Sequence, residues 1–332
     1  MSEPTLRDVY CARQAIAAYV VRTPMTYSSE LSARTGGRIY LKLENQQETG
    51  SFKIRGAANK LVSLSPAERQ RGVVTVSTGN HGRGVAAVGR RLGIPVVVCV
   101  PELVLPHKVA AMRSLGAEVV VQGASQDEAE AHAMALARDR SLTLVSPFDD
   151  PHIIAGQGTI GLEILEALPD VDVVVVPLSG GGLMGGLALA LKAADPGIRA
   201  VGVSMARGPV MAESLAAGHP VQLPEEPTLA DSLMGGIGLD NRCTFRLIQR
   251  TVDHVVLLEE DEIAAAMAYA LRREHQVVEG GGAVGLGALL HGKVDCAGQT
   301  VAVVVSGGNV DMATLLDIAA RHPDAGLAGQ IR

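Results

Sequence analysis

Four short stretches hold the residues whose types and spacing could do chemistry. In Thr49-Gly50-Ser51-Phe52-Lys53-Ile54-Arg55-Gly56 a lysine stands between an aromatic residue and the start of an apolar-periodic segment, 57–64. Such a lysine can be desolvated and driven toward its neutral, nucleophilic form, whereas an ordinary turn lysine stays solvated and inert. Ser77-Thr78-Gly79-Asn80-His81-Gly82 lies where a strand hands over to a helix. Its backbone N–H groups and hydroxyls suit an anion such as a carboxylate, or else the turn only needs glycine and caps the helix. Ser179-Gly180-Gly181-Gly182-Leu183-Met184-Gly185-Gly186 satisfies G-x-G-x-x-G, which admits a dinucleotide fold. A ribose-binding acid is then expected about 20 residues on. Ser204 and its near neighbours are not acidic, so the turn reads better as a cradle for one phosphate. Ser306-Gly307-Gly308-Asn309 ends the last strand; Ser306 either caps that strand or presents a hydroxyl to a ring nitrogen. No nucleophile elbow surrounds it.

These turns need a frame. A helical period covers 5–20 and stops at Thr23-Pro24, a second short helix covers 28–36, and a strand covers 39–44. From residue 72 strands and helices alternate: strands at 72–77, 95–100, 118–122 and 143–146, helices at 82–92, 106–115 and 125–139. A second set has helices at 158–168, 185–194, 261–274, 282–290 and 310–321, with strands at 171–177, 198–203, 254–258 and 299–305. The segment 207–242 reads as irregular, a lid or a connector. Val-rich strands alternating with helices predict an α/β fold with parallel sheets covered on both faces, in two lobes with the glycine turns facing a cleft.

Composition narrows the function. The 332 residues can bury a large core. A net charge of −6, three Phe, five Tyr and no Trp argue against nucleic acid and against an anionic membrane. No apolar run reaches about 18 residues, and the first 24 residues lack a signal-peptide pattern, so a cytoplasmic protein without membrane attachment is expected. Cys11, Cys99, Cys243 and Cys296 are scattered and read as reduced thiols.

A candidate lysine nucleophile, a single-phosphate cradle, a carboxylate turn and a hydroxyl aimed at a ring are the parts of a pyridoxal phosphate enzyme. The order of S-F-K-I-R-G-A, S-T-G-N-H-G, S-G-G-G-L and S-G-G-N over about residues 5–320 resembles the serine/threonine dehydratase family of fold-type II pyridoxal phosphate enzymes, related to tryptophan synthase β. The resemblance implies a large cofactor-binding domain from 1–71 and 148–332, and a small mobile α/β domain from 72–147. It implies that Lys53 holds the cofactor covalently and moves the substrate α-proton, with Phe52 against the ring. Asn80 would bond the ring's phenolic oxygen, Ser179, Gly180, Gly181, Gly182 and Leu183 would hold the phosphate, and Ser306 would face the pyridine nitrogen. Ser77, Thr78, Gly79, Asn80 and His81 would take the substrate carboxylate. Glu279 falls in the cleft-lining stretch without an assigned role.

The implied reaction is elimination of water from a 3-hydroxy-2-amino acid, giving a 2-oxo acid and ammonia, in a homodimer. Departures from the family pattern refine it. Thr78 stands where racemases carry serine and many dehydratases alanine, so racemase activity is expected to be poor. Ser204 replaces the glutamate of a divalent-cation site, so no metal is expected. Gly280-Gly281-Gly282 follow Glu279 where Pro-Ser/Thr-Ala/Gly is usual, and Ser179 replaces a glycine. The chain ends about 25 residues after Ser306, so isoleucine feedback through a regulatory domain is not expected. These variants resemble the dehydratases of hydroxyectoine utilisation, which implies a hydroxyectoine-derived substrate. A general L-threonine/L-serine dehydratase is the close alternative, and a non-catalytic nucleotide-binding α/β protein the distant one.

Overall fold

The computed structural model describes residues 3–77, 79–102, 104–124, 126–323 and 325. The first stretch holds α1 (Leu6–Ile16), β1 (Met25–Tyr27), α2 (Ser29–Thr35), β2 (Arg38–Leu43), α3 (Lys53–Val62) and α4 (Pro66–Arg71). Then come β3 (Val73–Val76), α5 (Asn80–Leu92), β4 (Val96–Val100), α6 (Pro106–Ser114), β5 (Glu118–Val121), α7 (Gln126–Asp139) and β6 (Thr143–Leu144). The remainder comprises α8 (Pro151–Ala167), β7 (Val173–Pro177), α9 (Gly182–Ala194), β8 (Arg199–Met205), α10 (Val210–Ala217), α11 (Thr244–Thr251), β9 (His254–Leu258), α12 (Glu260–Arg272), α13 (Gly280–Leu290), β10 (Thr300–Val305) and α14 (Met312–Arg321).

Two sheets result. The larger runs β1-β2-β10-β7-β8-β9, parallel except for the β1–β2 pair, and the smaller runs β5-β4-β3-β6, parallel throughout. Strands β7 and β10 are buried at every residue, which is why they are nearly continuous valine: both faces are covered and alternation has no purpose. One face of the larger sheet packs on α12 and α13 and the other on α9 and α11. Ile54, Ala57, Ala58 and Leu61 of α3 instead join the core beneath the smaller sheet, with Val73, Val85, Val88 and Val98.

Several elements differ from the sequence expectation for identifiable reasons. Helix α8 starts at Pro151, seven residues before the expected start, because Asp150 caps it and Gly156 and Gly158 are packing sites rather than breaks. The irregular 207–242 segment contains α10, and α11 follows it; neither was expected. Asp149 supplies what the α11 sequence lacks: its carboxylate accepts from the N–H groups of Arg242, Cys243 and Thr244 at 2.7–2.9 Å, capping the helix from a distant turn. Strand β1, only three residues long, carries too little pattern to be seen. Among the described residues no helix is long and apolar enough to cross a membrane.

Candidate active site

Three of the four glycine turns leave the C-terminal ends of β2, β10 and β7, which are neighbours in the larger sheet, and the fourth leaves β3 in the smaller one. Strand order therefore gathers turns that are far apart in sequence. Backbone bonds then staple the first two together. Phe52 N–H donates to the Ser306 carbonyl at 3.0 Å, Gly308 N–H donates to the Gly50 carbonyl at 2.9 Å, and Ser51 bridges to Gly307. Gly50 has a left-handed φ of 75°, and a Cβ there would lie 2.5 Å from Asn309 Oδ1, so only glycine serves.

Lys53 is the first residue of α3, and close helix packing holds it in place. A Cβ on Gly84 of α5 would sit 3.2 Å from Ile54 N, and one on Gly156 of α8 would sit 2.7 Å from both Arg55 O and Gly56 Cα. Glycine thus lets α5 and α8 approach α3 backbone to backbone. The base of α3 is also clamped electrostatically. Arg55, fully buried, forks onto both oxygens of buried Glu44 at 2.8 Å and reaches Glu163 at 2.7 Å, while Lys42 completes the cluster with Glu163 at 2.5 Å. Burial opposes charge on Arg55, but Glu44 and Glu163 outweigh it and hold the guanidinium firmly ionised. This cluster went unread in the sequence.

The Lys53 amine donates to the Pro147 carbonyl at 2.8 Å and lies 5.3 Å from the centre of the Phe52 ring. Burial lowers its pKa to about 8, with the Glu279 carboxylate pulling the other way. Phe148, next to Pro147, is the floor of the phosphate-cradle turn: a Cβ on Gly180 would meet its ring at 2.4 Å, and one on Gly182 its backbone at 3.0 Å. Gly181, at φ +85°, is the N-cap of α9, so the N–H groups of Gly182, Leu183 and Met184 open that helix unpaired within it. The amine and the anion-binding turn thus flank one dipeptide. Neither Pro147 nor Phe148 was picked out from sequence; their signal was a strand ending in Ser146-Pro147-Phe148-Asp149-Asp150-Pro151, dense in turn residues. The Ser179 hydroxyl is spent on the Leu233 carbonyl at 2.7 Å.

On the β3 side, α5 begins at Asn80 without a side-chain cap, leaving its first N–H groups directed out of the helix. The Ser77 hydroxyl accepts from Gly79 N–H at 3.2 Å, and a Cβ on Gly79 would meet nothing within 4 Å, so this edge of the turn is open. Thr78 lies outside the described residues. His81 is buried, and burial followed by the Lys53 charge lowers its pKa to about 3, so its imidazole is neutral. Neither Ser51 Oγ nor Thr49 Oγ1 reaches a hydrogen-bond partner among the described residues, and the His81 ring has only a loosely aligned approach to the Val145 backbone.

Asn80 and Ser306 come together with Glu279 and Asn309, residues that sequence reasoning left without roles. Asn80 Nδ2 donates to Glu279 Oε1 at 2.5 Å, and Asn309 Nδ2 donates to Asn80 Oδ1 at 2.6 Å. Buried Ser306 stands 3.5 Å from the Gly281 carbonyl, beneath the start of α13. Burial and then Asp231 raise the Glu279 carboxyl to about 7. Ser204, on β8, has its hydroxyl 3.4 Å from Met205 Sδ, and among the described residues no group of three or more His, Cys, Asp or Glu could hold a metal ion.

The chain is similar to known proteins over nearly its whole length. The family model described as "Pyridoxal-phosphate dependent enzyme" matches residues 16–307. The L-threonine ammonia-lyase of Thermotoga maritima is 46% identical over 308 residues, covering 93% of this chain and 76% of that protein. The catabolic L-threonine dehydratase of Escherichia coli K12 is 41% identical over 313 residues, covering 94% of each. The structure of maize serine racemase superposes with a TM-score of 0.90 at 34% identity, covering 97% of this chain and 99% of that one.

Proposed function

The chain belongs to the pyridoxal-phosphate dependent enzyme family, and on that premise we propose that it eliminates water from a 3-hydroxy-2-amino acid such as L-threonine or L-serine, releasing a 2-oxo acid and ammonia. The observation that carries the proposal is the half-buried Lys53 amine, hydrogen-bonded to Pro147 beside the turn whose glycines rest on Phe148.

The residues present fit the cofactor. Burying an unpaired hydroxyl costs about 1–3 kcal/mol, and Thr49 and Ser51 both present one in the turn that leads to Lys53. A polar ligand entering there relieves it. Lys53 would hold the cofactor's aldehyde carbon, the Gly180–Leu183 backbone its phosphate, Asn80 its phenolic oxygen and Ser306 its ring nitrogen, with Phe52 against the ring. When bound, pyridoxal phosphate supplies an electrophilic carbon and a ring that delocalises the electron pair left when an α-proton departs.

The chain's own residues do the rest. With a pKa near 8, a useful fraction of Lys53 is the neutral amine near neutral pH, able to act as nucleophile and as the base that takes the α-proton. The N–H groups opening α5, with Ser77, orient the substrate carboxylate, and the positive end of that helix favours the anion. Neutral His81 contributes no charge there. The Ser306 hydroxyl would face the ring nitrogen and, unlike a carboxylate, would hold no proton there, a setting suited to loss of the β-hydroxyl. Residues 72–147 form the small domain that closes over the substrate in this reading, supported by the Lys108–Asp231 ion pair, 2.6 Å, between α6 and the segment before α11.

A narrower substrate belongs to the same proposal: the variants at Thr78, Ser179, Ser204 and Gly280-Gly281-Gly282 resemble those of the hydroxyectoine dehydratases, and an open-chain 3-hydroxy-2,4-diamino acid derived from hydroxyectoine carries a hydroxyl β to its α-amino carbon. A cytoplasmic homodimer belongs to the same proposal. The test is a visible spectrum of the purified protein with and without added cofactor, followed by ammonia and 2-oxo acid assays on threonine, serine and the diamino acid. Fastest release from threonine or serine marks a general dehydratase, and from the diamino acid the narrower role. A protein that stays colourless with the cofactor and releases no ammonia from any of them would refute the proposal.

A further inference from the structure

An amide side chain is nearly symmetric in shape, so packing alone does not choose between its two orientations; only its hydrogen-bond partners do. For Asn80 the choice propagates from a backbone atom. The Thr49 carbonyl can only accept, and Asn309 Nδ2 lies 2.9 Å from it, so the nitrogen of Asn309 must be on that side. The same nitrogen reaches Asn80 at 2.6 Å, so the Asn80 atom facing it must be the oxygen. The Asn80 nitrogen then faces Glu279 Oε1 at 2.5 Å, where a carboxylate accepts. Every member of the chain is satisfied in one sense only.

We propose that Glu279 and Asn309 are positioning residues that fix the orientation of the Asn80 amide, so that its second N–H, and not its carbonyl, is presented to the phenolic oxygen of the cofactor. The inference rests on the cofactor reading above and goes beyond it, since neither residue need touch the cofactor. Glu279 is well placed for this task. Its backbone N–H donates to the Gly307 carbonyl at 3.2 Å, and a Cβ on Gly307 would lie 2.4 Å from Glu279 Oε1, so the carboxylate is packed against bare backbone and held there. Charged neighbours reach it from four elements: Lys53 on α3, Arg83 on α5, Lys108 on α6, and Asp231 in the turn at 231–233. None of them replaces Asn80 as its direct hydrogen-bond donor among the described residues.

The test is a double-mutant cycle on the holoenzyme, reading cofactor dissociation constant, position of the visible band, and thermal midpoint of the cofactor-free protein. Glu279→Met keeps the volume without the acceptor, and Glu279→Gln keeps an acceptor. In the otherwise native chain, Glu279→Met is expected to weaken cofactor binding about tenfold or more and to shift the band, and Glu279→Gln to preserve both. With Asn80→Ala already present, Glu279→Met should have less than about a twofold further effect on binding. Asn309→Asp, which turns the donor into an acceptor, should shift the band in the native chain and leave it unmoved in the Asn80→Ala background. Additive losses in the double variant, or a lowered midpoint with an unmoved band, would overturn the proposal. Should Glu279→Met not fold, the Asn309→Asp pair carries the same decision. If Asn80→Ala alone changes neither binding nor band, it is the role of Asn80 in the cofactor site that fails, and a native protein that binds no pyridoxal phosphate refutes the site reading itself.

Discussion

Gly156→Ala should damage catalysis through a contact that no substrate or cofactor touches. The added methyl would lie 2.7 Å from Arg55 O and Gly56 Cα and 2.9 Å from Gly56 N, all backbone atoms that no rotamer change can withdraw. Ordinary contact begins near 3.4 Å, so α3 and α8 must part by roughly 0.7 Å. Overpacking of this kind costs about 1–3 kcal/mol, or about 1.5–4 °C in Tm for a chain of this size. Because Lys53 opens α3, the displacement reaches the amine, and a misplacement approaching 1 Å costs on the order of 100-fold in rate. The expected result is a folded protein with kcat for ammonia release lowered by roughly 10- to 100-fold and a modestly changed KM. Gly287→Ala is the control: its methyl meets chiefly the flexible end of Leu258, between α13 and the core beneath α12. It should lower Tm with little change in kcat. Wild-type kcat in Gly156→Ala at a lowered Tm, or equal kcat losses in both variants, would refute the claim that the helix contact positions Lys53.

Two further outcomes are expected. In the cofactor-free protein, labelling of Lys53 by an amine-acylating reagent, followed by mass spectrometry, should rise with pH through a midpoint near 8; by linkage, because the folded-state pKa is depressed, this group's contribution to stability is full above about 10.5 and is lost as pH falls toward 8, and a midpoint near 10.5 would contradict the burial of the amine. Arg55→Met leaves the buried Glu44 carboxylate without its guanidinium and should cost about 3–5 kcal/mol in denaturant titration, with much of the loss recovered by adding Glu44→Leu; a loss below about 1 kcal/mol would show that the cluster is not a structural clamp.

The α/β architecture and the turns of the site were legible because their signals are local. Val173–Pro177 and Thr300–Val305 are continuous apolar runs, and glycine marks each strand-to-helix turn. Helix α2, with Ser28 as its N-cap and left-handed Gly36 as its C-cap, matches its expected limits for the same reason. What was not legible depends on residues far apart in the chain. Arg55 meets Glu163 108 positions away, and Asn80 meets Glu279 199 positions away. Pro147 and Phe148 matter through the Lys53 amine and Gly180, and no motif announces that. Glycines 156 and 158 look like helix breakers until the neighbouring helices show what they admit. Asn309 was visible only as the polar end of its turn, and its partners were not.

The staple between the turn before Lys53 and the turn after β10 also sets an order of events during synthesis. Ser51 and Gly307 are joined directly, as are Gly50 and Gly308, so the Lys53 turn cannot take its final form until some 250 further residues have been made. Strands β3, β4, β5 and β6 find all their partners between residues 73 and 144 and need not wait. Closing the longer loop carries a logarithmic entropy cost of roughly 5 kcal/mol, offset only when β10 slots between β2 and β7. Part of the lysine's pocket is therefore among the last pieces assembled on a growing chain, and a nascent polypeptide still short of β10 has the amine but not the completed turn that encloses it.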